Sequence, residues 1–464
     1  MQTAMDGVVS RLSSASSRLL TSSVQAYNRI LKPNQNLHSP GHPRWLDILR
    51  FVASPDKFPP KPWPSQVNTT KFPPPVLTEE TGDLRVTFVG HSTVLLQSHS
   101  LNIVTDPHFS RNAGPGGVLG SERVHEPGVK YDDMPQVHLI LLSHDHWDHF
   151  DTETITNFHM RDRSVVYTGT GMTHHLNPIW YFLPMLFGKD MDRIRDVQTM
   201  KWYDTIRFDS IDVTFLPAQH WSGRYLLDAN WTLWGSFLVR TPSHTIYFAG
   251  DTAYGPHFKE ARALLEEWGD DGVDLALLPI GSYEPRWFMK TLHMNPEEAV
   301  RAHLDLGSRQ SVAIHFDCFP LAAEEFGQAR RDLQIALEKH QVEPEAFVTL
   351  EPGEELIVPD ACPEETAMLY ADDPTKQGWQ PGLLGGDKRY GKRLRGRLPE
   401  SGDSDDRPAA PLDGEFPSHY YDDEKKDRPA SERGKDGQSG QESDRGGRAG
   451  DMQDGERTAG AAVG

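Results

Sequence analysis

Residues 137–151 read VHLILLSHDHWDHFD, an apolar run followed at once by a cluster of histidines and aspartates. The apolar run predicts a strand buried on both faces, and a tight turn at its carboxyl end would let the next side chains fan out. His144, His146, Asp148 and His149 then supply two ligands on each side of that turn, which suits two neighbouring metal ions. The stretch therefore predicts a metal site at the end of a central strand.

Three later strand-like runs also finish in a histidine or an aspartate. They are DVTFLPAQH, which ends at His220, TIYFAGD, which ends at Asp251, and SVAIHF, which contains His315. A lone histidine at a strand end is usually a structural residue. Four such strand ends in order, beginning with a cluster of histidines, instead favour further metal ligands.

The 464 residues divide by composition into four segments. Residues 1–32 form a serine-rich leader that is compatible with a mitochondrial transit peptide, a surface-lying amphipathic helix or a disordered polar leader. Residues 33–83 are crowded with prolines and predict an extended arm laid over a folded body. Residues 84–358 alternate strand-like runs with late helical stretches, which predicts two sheets flanked by helices. Residues 366–464 are polar and rich in Gly and Asp, which predicts a disordered tail.

Charge and composition exclude several classes of function. A formal net charge of −20 argues against nucleic acid as a partner, because such proteins carry a basic surface. Cys318 and Cys362 lie too far apart to suggest a disulfide framework, which fits a reducing, intracellular compartment. No stretch approaches the roughly 20 apolar residues of a membrane-spanning helix. The segment NPIWYFLPMLFG (177–188) is either core or an interfacial segment for reversible membrane docking.

The ligand pattern, HxHxDH followed by His, Asp and His, resembles the metallo-β-lactamase superfamily over residues 84–358. The resemblance implies an α/β fold, an αββα sandwich with the site at one edge of its sheets. It assigns one metal to His144, His146 and His220, a second to Asp148, His149 and His315, and the bridging position to Asp251. We expect two zinc ions, with iron or manganese left open because the ligand types do not exclude them.

The expected chemistry is hydrolysis. Two metals about 3.5–4 Å apart can share a hydroxide that attacks phosphorus or a carbonyl carbon, with Asp148 and Asp251 as catalytic ligands. The second position of the motif is His146 rather than the glutamate of diiron redox members, which favours hydrolysis. Asp106 in NIVTDP either holds a ligand histidine or ends a strand before Pro107.

Two longer stretches carry a narrower resemblance. FVGHSTVLLQ (88–97) and LLPIGSYEPRWFMKTLHMNPEEAV (277–300), with PAQHW and GDTAYGP, resemble the N-acylphosphatidylethanolamine-hydrolysing phospholipase D family. This resemblance implies hydrolysis of the distal phosphodiester bond of a phospholipid at a membrane surface, by a chain that tends to form homodimers. The products would be an N-acylethanolamine and phosphatidic acid. We therefore expect a peripheral membrane location, on mitochondria or on the cytosolic face of endomembranes.

The same resemblance places further residues at the site. His293 is expected to stabilise phosphoryl charge or protonate the leaving group, unless it is only a loop residue before the helix cap at Asn295. Tyr283 and Arg286 are expected to orient the head group, although Arg286 is equally compatible with a structural ion pair. His174 and His175 are not expected to bind metal, since seven ligands already fill two metals.

Two other functions stay open. A lactonase or other ester hydrolase would keep the same site and cleave a different bond. A catalytically inactive, membrane-associated scaffold would keep the fold alone, although such a protein has no reason to retain all seven ligands.

Overall fold

The computed structural model describes residues 62–73, 82–176, 196–225 and 228–360, together with isolated positions at 36, 47, 50, 51, 53, 54, 194, 393 and 394. The predicted leader, most of the arm, most of the tail and the apolar segment 177–188 lie outside the described residues. Within the described part of the chain, no helix combines the length and the apolar character needed to cross a bilayer.

The strands and helices follow the predicted order. The strands are β1 (Leu84–Gly90), β2 (Thr93–Ser98), β3 (Leu101–Thr105), β4 (Asn112–Ala113), β5 (Ser121–Glu122), β6 (Leu139–Leu142), β7 (Val165–Gly169), β8 (Val197–Met200), β9 (Thr205–Phe208), β10 (Ile211–Leu216), β11 (Ser236–Arg240), β12 (Thr245–Phe248), β13 (Leu275–Pro279), β14 (Gln310–Ile314), β15 (Phe347–Val348), β16 (Glu355–Val358) and β17 (Arg393–Leu394). The helices are α1 (Thr152–Asp162), α2 (Thr173–Leu176), α3 (His257–Glu267), α4 (Arg286–Met289), α5 (Pro296–Leu306) and α6 (Gln328–His340).

Two mixed sheets form the body of the protein. The first has the order β16-β1-β2-β3-β6-β7-β8, and the second has the order β15-β14-β13-β12-β11-β10-β9-β17. In the second sheet, β12, β13 and β14 are parallel, while β10 and β12 are each antiparallel to β11. Strands β10, β12 and β14 therefore point the same way, so the loops that follow them lie at one edge.

The largest apolar core lies between the two sheets. Phe88 of β1 packs in the same buried cluster as Phe215 of β10 and Phe237 of β11. Side chains alternate along a strand, so neighbouring residues of β2 point to opposite faces: Val94 joins this cluster, while Leu95 joins a second cluster that includes residues of α1. Because α3, α5 and α6 contribute to the core with the second sheet, the layers are helix, sheet, sheet, helix. The predicted αββα sandwich is confirmed.

Helix α5 begins and ends where the sequence predicts. Asn295 caps it, with its side chain accepting a hydrogen bond from the Glu298 N–H, and the Glu298 carboxylate accepts one from the Asn295 N–H in return. Gly307 follows the helix in the left-handed conformation, with φ of 60°. The cap fixes the end of the loop that brings His293 towards the edge of the sheets.

A buried histidine on α5 makes the stability of the fold depend on pH. His303 is 5% exposed, and its Nδ1 lies 2.8 Å from the Ser311 hydroxyl oxygen. Burial lowers the pKa of His303 to about 4. The unfolded chain therefore binds a proton more tightly, so stability from this group is present above the unfolded pKa of about 6.5 and is lost as the pH falls towards 4.

Between pH 7 and pH 5, the free energy of unfolding of the wild type should fall by about 1–2 kcal/mol more than that of the His303→Gln variant. The measurement is the free energy of unfolding in urea at the two pH values, with His174→Gln as an exposed-histidine control. Identical pH dependence of His303→Gln and the wild type would contradict the assignment.

Candidate metal centre

The turn after β6 carries four of the predicted ligands. The backbone N–H groups of His149 and Phe150 both donate to the carbonyl of His146, which closes the turn. Asp145, between two ligand histidines, is fully buried, and its Oδ1 accepts the Gly223 N–H at 2.6 Å. These bonds hold the turn in a shape that points its side chains towards the second sheet.

The structure brings all seven predicted ligands together in two adjoining clusters. In each cluster the candidate ligand atoms lie within 4.8 Å of one another. The first cluster comprises His144, His146, His220 and Asp251, and the second comprises His91, Asp148, His149 and His315.

Asp251 lies between the two clusters. Its Oδ2 is 3.2 Å from Nε2 of both His149 and His315, and 3.7 Å from Nε2 of His220. One carboxylate oxygen thus faces ligands of both clusters, which is the arrangement expected of a bridging residue.

The hydrogen bonds around the clusters fit divalent cations at their centre. His220 Nδ1 lies 2.8 Å from the carbonyl of Leu292, to which it can only donate, so the lone pair of neutral His220 is on Nε2. His144 Nδ1 lies 2.8 Å from the Ser143 hydroxyl oxygen, whose own hydrogen is donated to Asp106. Both histidines therefore turn an Nε2 lone pair inward, the state in which imidazole binds a metal. Nitrogen and carboxylate donors together are a set that suits zinc, iron and manganese.

Burial and mutual charge set the protonation of the cluster. Burial lowers the pKa of His144 and of His220 well below the usual value, so both are neutral. Burial alone would also lower the pKa of His315, but the carboxylates of Asp251 and Asp148 outweigh it and raise that pKa to about 9. Burial raises the pKa of Asp251, yet the nearby imidazoles hold it well below its usual range. A divalent cation bound at the same nitrogen would take the place of that proton.

Asp106 contacts His149 and Ser143, beside the candidate metal ligands. Its Oδ2 lies 2.6 Å from His149 Nδ1 and accepts the Ser143 hydroxyl at 2.6 Å, while its Oδ1 accepts the Ser143 N–H at 2.8 Å. The structure thus shows the predicted contact of Asp106 with a candidate ligand, His149. The position also follows the end of β3, so both interpretations of Asp106 hold.

Replacing Asp106 by Ala should weaken metal binding about 10- to 100-fold, because His149 loses the group that fixes its ring and its tautomer. The dissociation constant for Zn²⁺ can be measured by competition with a chromogenic chelator. Asp132→Ala, at an exposed position, is the control. Equal affinity in the wild type and Asp106→Ala would contradict this role.

His91 is a site residue that the sequence analysis missed. It is 2% exposed, its Nε2 lies 3.0 Å from Asp148 Oδ2, and its carbonyl accepts the His315 N–H. It therefore joins two ligands of the second cluster. The available signal was its place directly after β1, since the other ligands also follow strand ends.

His293 lies at the edge of the metal clusters. Its Nδ1 is 3.9 Å from Asp251 Oδ2, and its ring centroid lies 5.0 Å from that of His220 and 5.4 Å from that of His315. Burial lowers the pKa of His293 to about 4, so the ring is neutral near pH 7. The structure thus places His293 beside residues of both candidate metal clusters.

The contacts of Tyr283 and Arg286 are structural ones. Tyr283 is 2% exposed and donates its hydroxyl to Asp332 of α6 at 2.6 Å, so the hydroxyl is not among the ligands. Arg286 donates to the carboxylate of Glu298 at 2.7 Å and to the carbonyl of His293 at 3.0 Å. Arg286 therefore holds the backbone of the loop that carries His293, which is the structural ion pair that the sequence left open beside a head-group contact.

Comparison with known proteins agrees with this geometry. Residues 101–316 match a family model described as a beta-lactamase superfamily domain. A Caenorhabditis elegans protein, N-acyl-phosphatidylethanolamine-hydrolyzing phospholipase D 1, is 32% identical over 285 residues, which cover 58% of this chain and 75% of the relative. The chain belongs to the metallo-β-lactamase superfamily. Its membership and its clusters make it a metal-dependent hydrolase that uses divalent cations.

Two further relatives are similar over more than half of the chain. An uncharacterized protein of Mycobacterium tuberculosis is 36% identical over 273 residues, covering 58% of this chain and 68% of its own. A mitochondrial N-acyl-phosphatidylethanolamine-hydrolyzing phospholipase D of Saccharomyces cerevisiae is 31% identical over 257 residues, covering 54% of this chain and 51% of its own. The predicted resemblance to this group of phospholipases is confirmed at the level of sequence.

Proposed function

We propose that this hydrolase is a zinc-dependent phosphodiesterase of the phospholipase D type. It would cleave N-acylphosphatidylethanolamine to an N-acylethanolamine and phosphatidic acid. The observation that carries the proposal is the position of His293, which the PIGSYEPRWFMK loop brings within 3.9 Å of Asp251. Two relatives named for this reaction support it.

In the proposed reaction, water adds to phosphorus and the bond from phosphorus to the ethanolamine oxygen breaks. Bound divalent cations supply Lewis acidity for the phosphoryl oxygens and lower the pKa of water. Asp148 and Asp251 would hold these cations together with His149 and His315, whose Nε2 atoms lie 3.2–3.3 Å from the two carboxylates. His293 either donates an N–H hydrogen bond to a phosphoryl oxygen as a neutral imidazole or, in its protonated form, gives a proton to the leaving ethanolamine oxygen.

Apolar side chains beside the cluster support a lipid substrate. The Trp221 ring lies 4.4 Å from that of His146, and Trp221 packs with Phe288 against buried Met289 and Leu292. Trp287, on the same helix as Phe288, is 40% exposed. An acyl chain could lie along these side chains while the phosphate faces the metals.

The proposal includes the expected location and partners. The enzyme would act inside the cell as a peripheral protein, on mitochondria or on the cytosolic face of endomembranes, and would form a homodimer. These statements rest on the likeness to the phospholipase D relatives.

The test is hydrolysis of defined substrates by the zinc-loaded full chain in water enriched in ¹⁸O. Vesicles containing N-acylphosphatidylethanolamine should release N-acylethanolamine, with the label in phosphatidic acid because the oxygen of water joins phosphorus. A lactone and a simple carboxylic ester are assayed in parallel. Hydrolysis of these alone would replace the proposal with a lactonase or ester hydrolase, and metal binding with no hydrolysis would favour a scaffold.

A further inference from the structure

A third group of metal-binding side chains lies beside the two clusters. Asp145, His175 and Asp228 offer ligand atoms that all lie within 4.8 Å of one another. His175 Nε2 is 3.2 Å from Asp145 Oδ2 and 3.8 Å from Asp228 Oδ2. Asp145 is fully buried, Asp228 is 7% exposed, and His175 is partly exposed. None of the three belongs to the seven predicted ligands.

Hydrogen bonds alone do not satisfy this group. Asp228 Oδ1 accepts the backbone N–H groups of Arg224 and Tyr225 at 3.1 and 2.8 Å. Its Oδ2 is buried and accepts no hydrogen bond from the described residues, although it faces His175. A buried carboxylate oxygen without a hydrogen bond destabilises the folded protein, which indicates that another group binds it.

One imidazole N–H cannot serve both carboxylates. His175 Nε2 carries at most one hydrogen, and the nearer acceptor is Asp145 Oδ2, which already accepts the Thr232 hydroxyl at 2.8 Å. A cation placed between the three atoms would instead satisfy both carboxylate oxygens and the nitrogen at once.

We propose that Asp145, His175 and Asp228 bind a third divalent cation. Ligands at about 2 Å from a metal lie about 3–4 Å from one another, and His175 Nε2 lies 3.2 and 3.8 Å from the two carboxylate oxygens. Two carboxylates and one neutral imidazole offset the charge of the ion, and the partly exposed side of His175 leaves room for water to complete the coordination. The expectation that His175 binds no metal counted only the two metals of the main centre.

The third cation stabilises the fold and takes no part in catalysis. Asp145 lies between the ligands His144 and His146, while His175 lies on α2 and Asp228 in the loop after β10. The ion therefore links the metal-binding turn to α2 and to the loop after β10. Its occupancy should raise the melting temperature without changing the bond that the enzyme cleaves.

The test is the zinc content of the full chain after dialysis against stepwise increasing free Zn²⁺, measured by mass spectrometry of the metal. The wild type should bind three ions per chain and His175→Ala two. Asp228→Asn, which keeps an oxygen for the Arg224 and Tyr225 N–H groups, should also bind two. His174→Ala, at the exposed neighbouring histidine, should bind three.

Equal zinc content in the wild type and His175→Ala overturns the proposal. Loss of zinc from the main centre in both His175→Ala and Asp228→Asn also overturns it, because the three residues would then only brace the turn. The readout uses no substrate, so it stands apart from the proposed phosphodiesterase activity. If the third site does not exist, the wild type binds two zinc ions and still hydrolyses its substrate. If the proposed phosphodiesterase function is wrong, the zinc contents of the variants stay as predicted here.

Discussion

Asp251→Ala should bind at most one metal ion at the main centre and should hydrolyse phosphodiesters about 10³-fold more slowly than the wild type, a loss of about 4 kcal/mol in transition-state stabilisation. The reason is the position of Asp251, whose Oδ2 faces ligands of both clusters at 3.2–3.9 Å. Without the carboxylate, the imidazoles that it faces lose the negative charge that offsets a second cation. The measurements are metal content and the rate with bis(4-nitrophenyl) phosphate.

The matched control is Asp212→Ala on β10, whose partly exposed carboxylate lies 3.5 Å from Arg207. It should retain both metals and the wild-type rate. Full metal content together with more than a tenth of the wild-type rate in Asp251→Ala would remove Asp251 from the bridging position. If circular dichroism shows that Asp251→Ala has lost secondary structure, the same measurements should be made on the milder variant Asp251→Asn.

The convergence of the ligands could be predicted from the sequence because strand direction and strand ends are local features. Each of His144, His220, Asp251 and His315 follows a short apolar run, and the runs prove to be strands whose ends share one edge. Periodicity predicts such runs, and the shared direction follows from the pairing of the sheets. His91 follows the same rule, because it comes directly after β1.

The partners of the remaining polar side chains could not be predicted, because they come from distant parts of the chain. Tyr283 and Arg286 lie in a stretch rich in polar and aromatic residues, which suggested substrate contacts. Their partners, Asp332 and Glu298, are set by how α6 and α5 pack against the loop. Only the tertiary structure shows which polar groups are already engaged.

The predicted arm shows the same limit. Asn36 accepts the His220 N–H at 3.0 Å and donates to the His220 carbonyl at 2.7 Å, so a residue 184 positions away fixes the backbone of a predicted ligand. Its side-chain oxygen also accepts the Trp234 indole N–H at 3.1 Å. Nothing local in the sequence marks Asn36, because its role depends on where the arm meets the loop after β10.

His293→Ala should retain the metals of the main centre but slow the hydrolysis of N-acylphosphatidylethanolamine about 10²- to 10⁴-fold, the usual contribution of a positioned acid–base group. Metal binding should survive because the seven predicted ligands stay in place, although His293 also lies within ligand distance of Asp251 and His315. The measurements are zinc content and the rate with vesicles of the phospholipid. Lys290→Ala, at the end of α4, serves as the control for changes in the same loop. A wild-type rate in His293→Ala would show that His293 is only a loop residue.

The leaving group separates the two roles proposed for His293. An ethanolamine oxygen is a poor leaving group that needs a proton, whereas 4-nitrophenolate leaves without one. If His293 protonates the leaving group, His293→Ala should be slow with the phospholipid and nearly normal with bis(4-nitrophenyl) phosphate. If it instead stabilises charge on the phosphoryl oxygens, both substrates should slow by a similar factor, because that charge develops in both transition states. The neutral, buried state of His293, with its pKa lowered to about 4, makes it a poor proton source and favours the second outcome.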